Sequence, residues 1–249
     1  VPPPAKATAI STAPSPPPLP SSTSTGNPST GSIVDDGGSY GNLIIRNNCP
    51  EPLTLWSVGA RHLNGYKSSH DGYSGEGDNT PVHLATGETH TEPYRINPPD
   101  VDGLEKYVPE WDKAAGQGVS VKISKTDKLD ADIFQFEYAL VKDPKRGDTF
   151  FRLNYDVSLL DCARVEGVTD VSGSEEQHKD KLDKCPGYKN GVAVTFDKDP
   201  TSAICTPVYC SGESKCKMIY TWDRTRKNEM SLACNKEYKG DMTLDLCVG

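Results

Sequence analysis

Tyr155-Asp156-Val157-Ser158-Leu159-Leu160-Asp161 is the stretch on which the fold reading turns. Tyr155, Val157 and Leu159 alternate with Asp156, Ser158 and Leu160, the period of two expected of a strand with one buried face. The same period recurs where Val119, Val121 and Ile123 alternate with Ser120, Lys122 and Ser124. It recurs again at Phe134, Phe136, Tyr138 and Leu140 against Gln135, Glu137 and Ala139, and at Val192, Val194 and Phe196. Leu43, Ile44 and Ile45, running to Cys49, read as an opening strand. Residues 53–58 read as its neighbour across the Pro50-Glu51-Pro52 turn. Residues 61–80 are rich in Gly, Ser, Asp and His and read as loop. Helical signal is scarce. Ser174-Glu175-Glu176-Gln177 has the form of a capping box, so a short exposed helix is expected before Cys185. Many short strands between turn signals point to an all-β sandwich. The cysteine-rich residues 162–240 read as loops stapled onto it.

Outward from this core the composition changes. The first 32 residues include nine Pro, seven Ser and five Thr, a segment with too little apolar surface to offset its ordering entropy. Residues 1–40 are therefore expected to be a disordered spacer with polyproline character, whose Ser, Thr and Pro permit O-glycosylation. Asn27-Pro28-Ser29 is blocked as an N-glycosylation site by its proline. The chain opens VPPPAKATAISTAP, with no apolar signal core, and a processed terminus is expected.

The whole chain has 249 residues and a formal net charge of −8. No stretch approaches the roughly 18–20 apolar residues that span a bilayer, so no membrane span is expected. The acidic balance, without clustered Lys and Arg, argues against a nucleic-acid partner. No phosphate-binding loop, dinucleotide fingerprint or nucleophile elbow occurs, and no cofactor is expected. His62, His70, His83, His90 and His178 have no metal-triad spacing.

The eight cysteines are Cys49, Cys162, Cys185, Cys205, Cys210, Cys216, Cys234 and Cys247. An even number without paired knuckles or neighbouring His favours disulfides over zinc, and hence an oxidising compartment and a secreted protein. Eight cysteines allow 105 pairings, and spacing alone selects none.

Residues 42–49 (NLIIRNNC) with Leu55-Trp56 resemble the opening strand, first cysteine and following strand of thaumatin-like proteins. Phe136-Glu137-Tyr138 resembles their Ala-Glu-Phe strand. Residues 155–161 are similar, nearly letter for letter, to their Tyr-Asp-Val-Ser-Leu-Val-Asp segment. Tyr220-Thr221-Trp222-Asp223 and the terminal Leu246-Cys247 resemble late family motifs in the same order. The low cysteine number looks like the fungal branch, the yeast-phase-specific antigenic type. The resemblance covers residues 41–249. It implies a thaumatin-like sandwich (about 41–161 plus 190–249) carrying a smaller disulfide-stapled loop domain. It also implies a bridge between Cys49 and Cys247, leaving the six inner cysteines unassigned. One departure concerns the family's cleft arginine. The matching residues 121–126 carry Lys122 and Lys125 instead, and lysine lacks the bidentate fork of arginine.

By alternation Glu137 and Asp156 lie on the polar side of their strands. Asp161 is out of phase and belongs at or beyond a strand end. The resemblance places these three with Asp223 in an acidic cleft. Lys122 or Lys125 would contribute the cation, and Trp222, Tyr138 and Tyr155 are candidate stacking platforms. Such a groove offers carboxylates to sugar hydroxyls, and the function implied is recognition of cell-wall β-glucan by a secreted or wall-associated monomer. A second reading is an endo-β-1,3-glucanase with Glu137 as proton donor and Asp156 as second carboxylate. A third is a surface antigen or effector without sugar binding. Carboxylates on strand surfaces are otherwise ordinary solvated chemistry.

Overall fold

In the computed structural model the described residues are 39–59, 81–96, 118–129, 132–143, 145–147, 149–163, 175–212, 216–221 and 231–249. All belong to one unit, Gly31–Gly249. The expected spacer and the loop over 61–80 lie outside them, apart from Ser39 and Tyr40.

The elements in chain order are β1 (Asn42–Asn47), β2 (Leu53–Gly59), β3 (Val82–Leu84), β4 (Thr89–Pro93), β5 (Val119–Ser124), β6 (Phe134–Lys142) and β7 (Phe151–Ser158). Then follow α1 (Glu175–Leu182), β8 (Val192–Phe196), β9 (Val208–Cys210), β10 (Leu232–Ala233) and β11 (Met242–Leu246). They form a five-stranded sheet, β4-β1-β11-β8-β9, and a six-stranded sheet, β10-β7-β6-β5-β2-β3. The fold class is the all-β sandwich expected from the alternation.

The two sheets share one core. Leu43, Ile45, Val192, Val194, Leu244 and Leu246 from one sheet join Leu55, Val121, Ile123, Phe136, Leu153 and Val157 from the other. Aromatic rings lock across the gap, with Tyr94 against Tyr138 at 5.7 Å and Tyr155 against Phe196 at 5.1 Å between centroids. Such tilted pairs add about 0.5–1.5 kcal/mol each beyond area burial. Tyr138 and Tyr155 are thus core residues rather than sugar platforms. The Tyr155 hydroxyl donates to the Thr206 carbonyl, and burial pushes the Tyr138 phenol up to about 12.

One expected adjacency is corrected. Strands β1 and β2 are not partners: β1 pairs β4 and β11, whereas β2 pairs β3 and β5. The short turn between them is a change of sheet. Its anchor is Asn47, fully buried, whose Nδ2 donates to the carbonyls of Leu84, Glu51 and Ala85 while its Oδ1 accepts the Cys49 amide.

Strands β1 and β11, the first and last, run parallel at the centre of their sheet, Leu43 opposite Met242 through Asn47 opposite Leu246. Just past their shared end Cys49 and Cys247 are bonded, 198 residues apart in sequence, as the resemblance implied. The inner pairings are Cys162–Cys185, Cys205–Cys234 and Cys210–Cys216. The first two of these bridges lie within the same core as the sandwich. Helix α1 begins at Glu175, within the predicted capping box, and sits between Cys162 and Cys185 with its Leu182 buried.

Candidate functional site

The candidate site is the outer face of the six-stranded sheet, where β5, β6 and β7 run side by side. Phe136, Tyr138, Tyr155 and Val157 point into the core, so Glu137 and Asp156 point out, each half-buried. Register makes them direct neighbours: Glu137 is opposite Asp156, and Ser120 is opposite Glu137 on its other side. Side chains directly opposite on antiparallel strands have Cβ atoms about 4.5–5.5 Å apart, and like charges there are destabilising by roughly 0.2–1 kcal/mol. Glu137 makes no hydrogen bond or ion pair with any described residue. The strand pairing therefore holds two carboxylates together on one surface, and Glu137 has acceptor capacity to spare.

One row along, about 6.8 Å by the strand repeat, lie Trp56, Lys122, Gln135 and Ser158. The Lys122 ammonium donates to Gln135 Oε1 at 2.6 Å, and the Ser120 hydroxyl donates to the same oxygen at 3.2 Å. Gln135 Nε2 donates to Asp161 Oδ2 at 2.8 Å. Asp161 lies in the turn after β7, beyond Ser158, as its phase required. The next residue, Cys162, is buried and bonded to Cys185, which anchors that turn to the segment after α1.

Of the residues expected at the site, the structure brings Glu137, Asp156, Lys122 and Asp161 to one face. Lys125 is elsewhere. It follows the end of β5, and its ammonium is 2.8 Å from Glu51 in the turn between β1 and β2. Trp222 and Asp223 lie outside the described residues. The segment leading to them is placed: Tyr220 bridges Ser158 in parallel at the end of β7, with Tyr220 N donating to Val157 O and Leu159 N to Tyr220 O. Two residues of the face were missed by sequence reading, Gln135 and Ser120. Both were in the outward phase of strands already recognised, but a neutral polar residue on such a face carries no signal of its own. Trp56 was noted only as part of a motif. It lies on this outer face yet is 3% exposed and outside the shared core.

Among the described residues no group of three or more His, Cys, Asp and Glu is arranged to hold a metal ion, and no helix is long and apolar enough to cross a membrane.

No protein-family model matches this chain. No curated protein matches it either. Among solved structures it is similar to the protein elicitor MoHrip2 from Magnaporthe oryzae, at 15% identity and a TM-score of 0.46, over 83% of this chain and 98% of that one.

Proposed function

We propose that the ordered domain is a secreted, thaumatin-like carbohydrate-recognition protein that binds cell-wall β-glucan on the face built by β5, β6 and β7. The observation that carries this reading is the Glu137–Asp156 pair. Two carboxylates sit opposite one another, and Glu137 has no partner among the described residues. A partly dehydrated carboxylate gains most from hydroxyl donors, since charge-assisted hydrogen bonds are roughly twice as strong as neutral ones. Neutral sugars supply such donors in dense arrays without adding charge. Four disulfides suit an extracellular setting. The match of residues 155–161 to the family motif supports the thaumatin-like assignment, because those residues form the second half of β7 and the turn that bears Asp161.

A second reading, glucan hydrolysis, is favoured by one feature. Retaining glycosidases need two carboxyls close together, about 5–5.5 Å apart, and Glu137 and Asp156 stand directly opposite each other on paired strands. One experiment serves both readings. Wild-type protein and the Glu137→Gln/Asp156→Asn double variant are incubated with insoluble β-1,3-glucan and with chitin, and reducing ends released from laminarin are assayed in parallel. Retention of wild type on glucan, lost in the double variant, is the expected result. A wild-type protein that stays in the supernatant defeats the binding reading and leaves a surface or effector role. Release of reducing ends by wild type alone moves the pair from binding to catalysis.

A further inference from the structure

We propose that Gln135 is the positioning residue of this face, holding Lys122 and Asp161 apart so that the ammonium stays off the Glu137–Asp156 pair. The inference deepens the reading of the face as a sugar-binding surface and rests on it for the identity of the ligand.

The orientation of the Gln135 amide follows from its partners. Lys122 can only donate, so the atom 2.6 Å from its ammonium is the amide oxygen. Asp161 as a carboxylate can only accept, so the atom 2.8 Å from its Oδ2 is the amide nitrogen. Ser120 adds a second donor to the oxygen at 3.2 Å. The amide is a neutral spacer with a donor at one end and an acceptor at the other, matched to an acid and a base that would otherwise seek each other or a nearer partner. Lys122 lies on β5, one strand from Glu137 and one register row away, within reach of a diagonal ion pair. It makes no ion pair with any described residue, so its positive charge is not neutralised there.

The chemical consequence is selectivity. The face presents the Lys122 ammonium beside Glu137, which pairs with no described residue. A ligand that both donates and accepts, a neutral polyhydroxyl chain, satisfies both groups. A polyanion is repelled by the carboxylates, which outnumber the ammonium on this face. Replacing Gln135 by glutamate pairs the ammonium internally and sets a like charge against Asp161. Replacing it by leucine frees the ammonium to swing onto Glu137.

The test has two arms. In the first, the side-chain amide proton resonances of Gln135 are followed by NMR between about pH 6 and 3, the range in which carboxyl groups titrate, in wild type and in Asp161→Asn. The expected result is a pH-dependent step in wild type that Asp161→Asn abolishes. Resonances that ignore pH, or that keep their step in Asp161→Asn, overturn the proposal. In the second arm, Gln135→Leu and Gln135→Glu are compared with wild type for retention on insoluble β-1,3-glucan, with thermal midpoints measured alongside. About tenfold weaker retention at an unchanged midpoint supports the proposal, and wild-type retention in both variants overturns it. If wild type itself is not retained, glucan falls as the ligand, while the first arm still decides whether Gln135 holds Asp161.

Discussion

At the scale of single residues, the Glu137–Asp156 pair sets stability against binding. Like charges directly opposite on neighbouring strands cost the fold a few tenths of a kcal/mol to about 1 kcal/mol. Glu137→Gln keeps the shape and removes the repulsion, so it is expected to raise stability by up to about that amount in urea unfolding while weakening glucan retention. A variant that loses stability and binding together marks Glu137 as a structural residue instead. Sequence alternation placed Glu137, Asp156 and Lys122 on the polar side correctly, because the side-chain direction of a strand residue depends only on its phase. It also put Asp161 beyond the strand end. What it could not supply was Gln135, since whether an outward amide touches anything depends on which strands lie beside it. Lys125 shows the same gap in reverse: adjacent to the right strand, it lies past the strand end and spends its charge on Glu51.

At the scale of elements, the turn that leads into β1 and the turn after β7 call for separate tests. Gly41 precedes β1 at φ +131°, and a Cβ there would run into the Gly240 carbonyl. Gly41→Ala is expected to cost at least about 2 kcal/mol, from left-handed strain and collision together. A urea midpoint close to wild type would show that the approach of these two turns is relaxed in solution. The Cys162–Cys185 bridge encloses α1 and adjoins Asp161, with a sequence separation of 23. Replacing both cysteines by alanine is expected to cost about 3 kcal/mol on the chain-entropy scale. It should also weaken glucan retention, because the turn carrying Asp161 loses its anchor. Stability loss with full retention would separate the bridge from the site. The alternating strands β5, β6, β7 and β8 were legible in sequence. Strands β3, β9 and β10 were not, since two or three residues hold too few repeats of the pattern to stand out, and β4 (Thr89–Pro93) carries no alternating apolar residues at all.

At the scale of the whole molecule, the two sheets are joined by more than apolar packing. Glu92 on β4 belongs to one sheet and Ser57 on β2 to the other, yet the Ser57 hydroxyl donates to Glu92 Oε1 at 2.8 Å. Arg95 Nη2 is 3.2 Å from the same oxygen and also donates to Ser57, while its backbone amide donates to the Tyr138 hydroxyl. His90 Nε2 is 3.4 Å from Glu92 Oε2. Burial by itself would raise the Glu92 carboxyl. The His90 hydrogen bond, the Arg95 charge and the Ser57 hydroxyl outweigh it and hold the group below its ordinary value. A carboxyl depressed in the folded state contributes stability that is fully present above the unfolded value, about 4.3, and is lost as pH falls toward the folded one. Urea midpoints should therefore drop on acidification below about pH 4.5, and Glu92→Gln should flatten that limb. Parallel curves for the two proteins would assign the acid limb to other groups. At neutral pH the same substitution leaves the Arg95 charge buried and is expected to cost about 3 kcal/mol. The Cys49–Cys247 bridge joins residues 198 apart in sequence, so its removal is expected to cost up to about 5 kcal/mol, less because three other bridges already restrain the unfolded state.

The amino-acid sequence alone determined that this is a disulfide-bonded β sandwich with Glu137 and Asp156 in the outward phase, because strand period and cysteine chemistry are local properties. Which strands adjoin, which inner cysteines meet, and that Gln135 stands between Lys122 and Asp161 were decided only in three dimensions. Pairing across a sheet joins residues distant in the chain, and the free energy that selects it comes from burying one shared core.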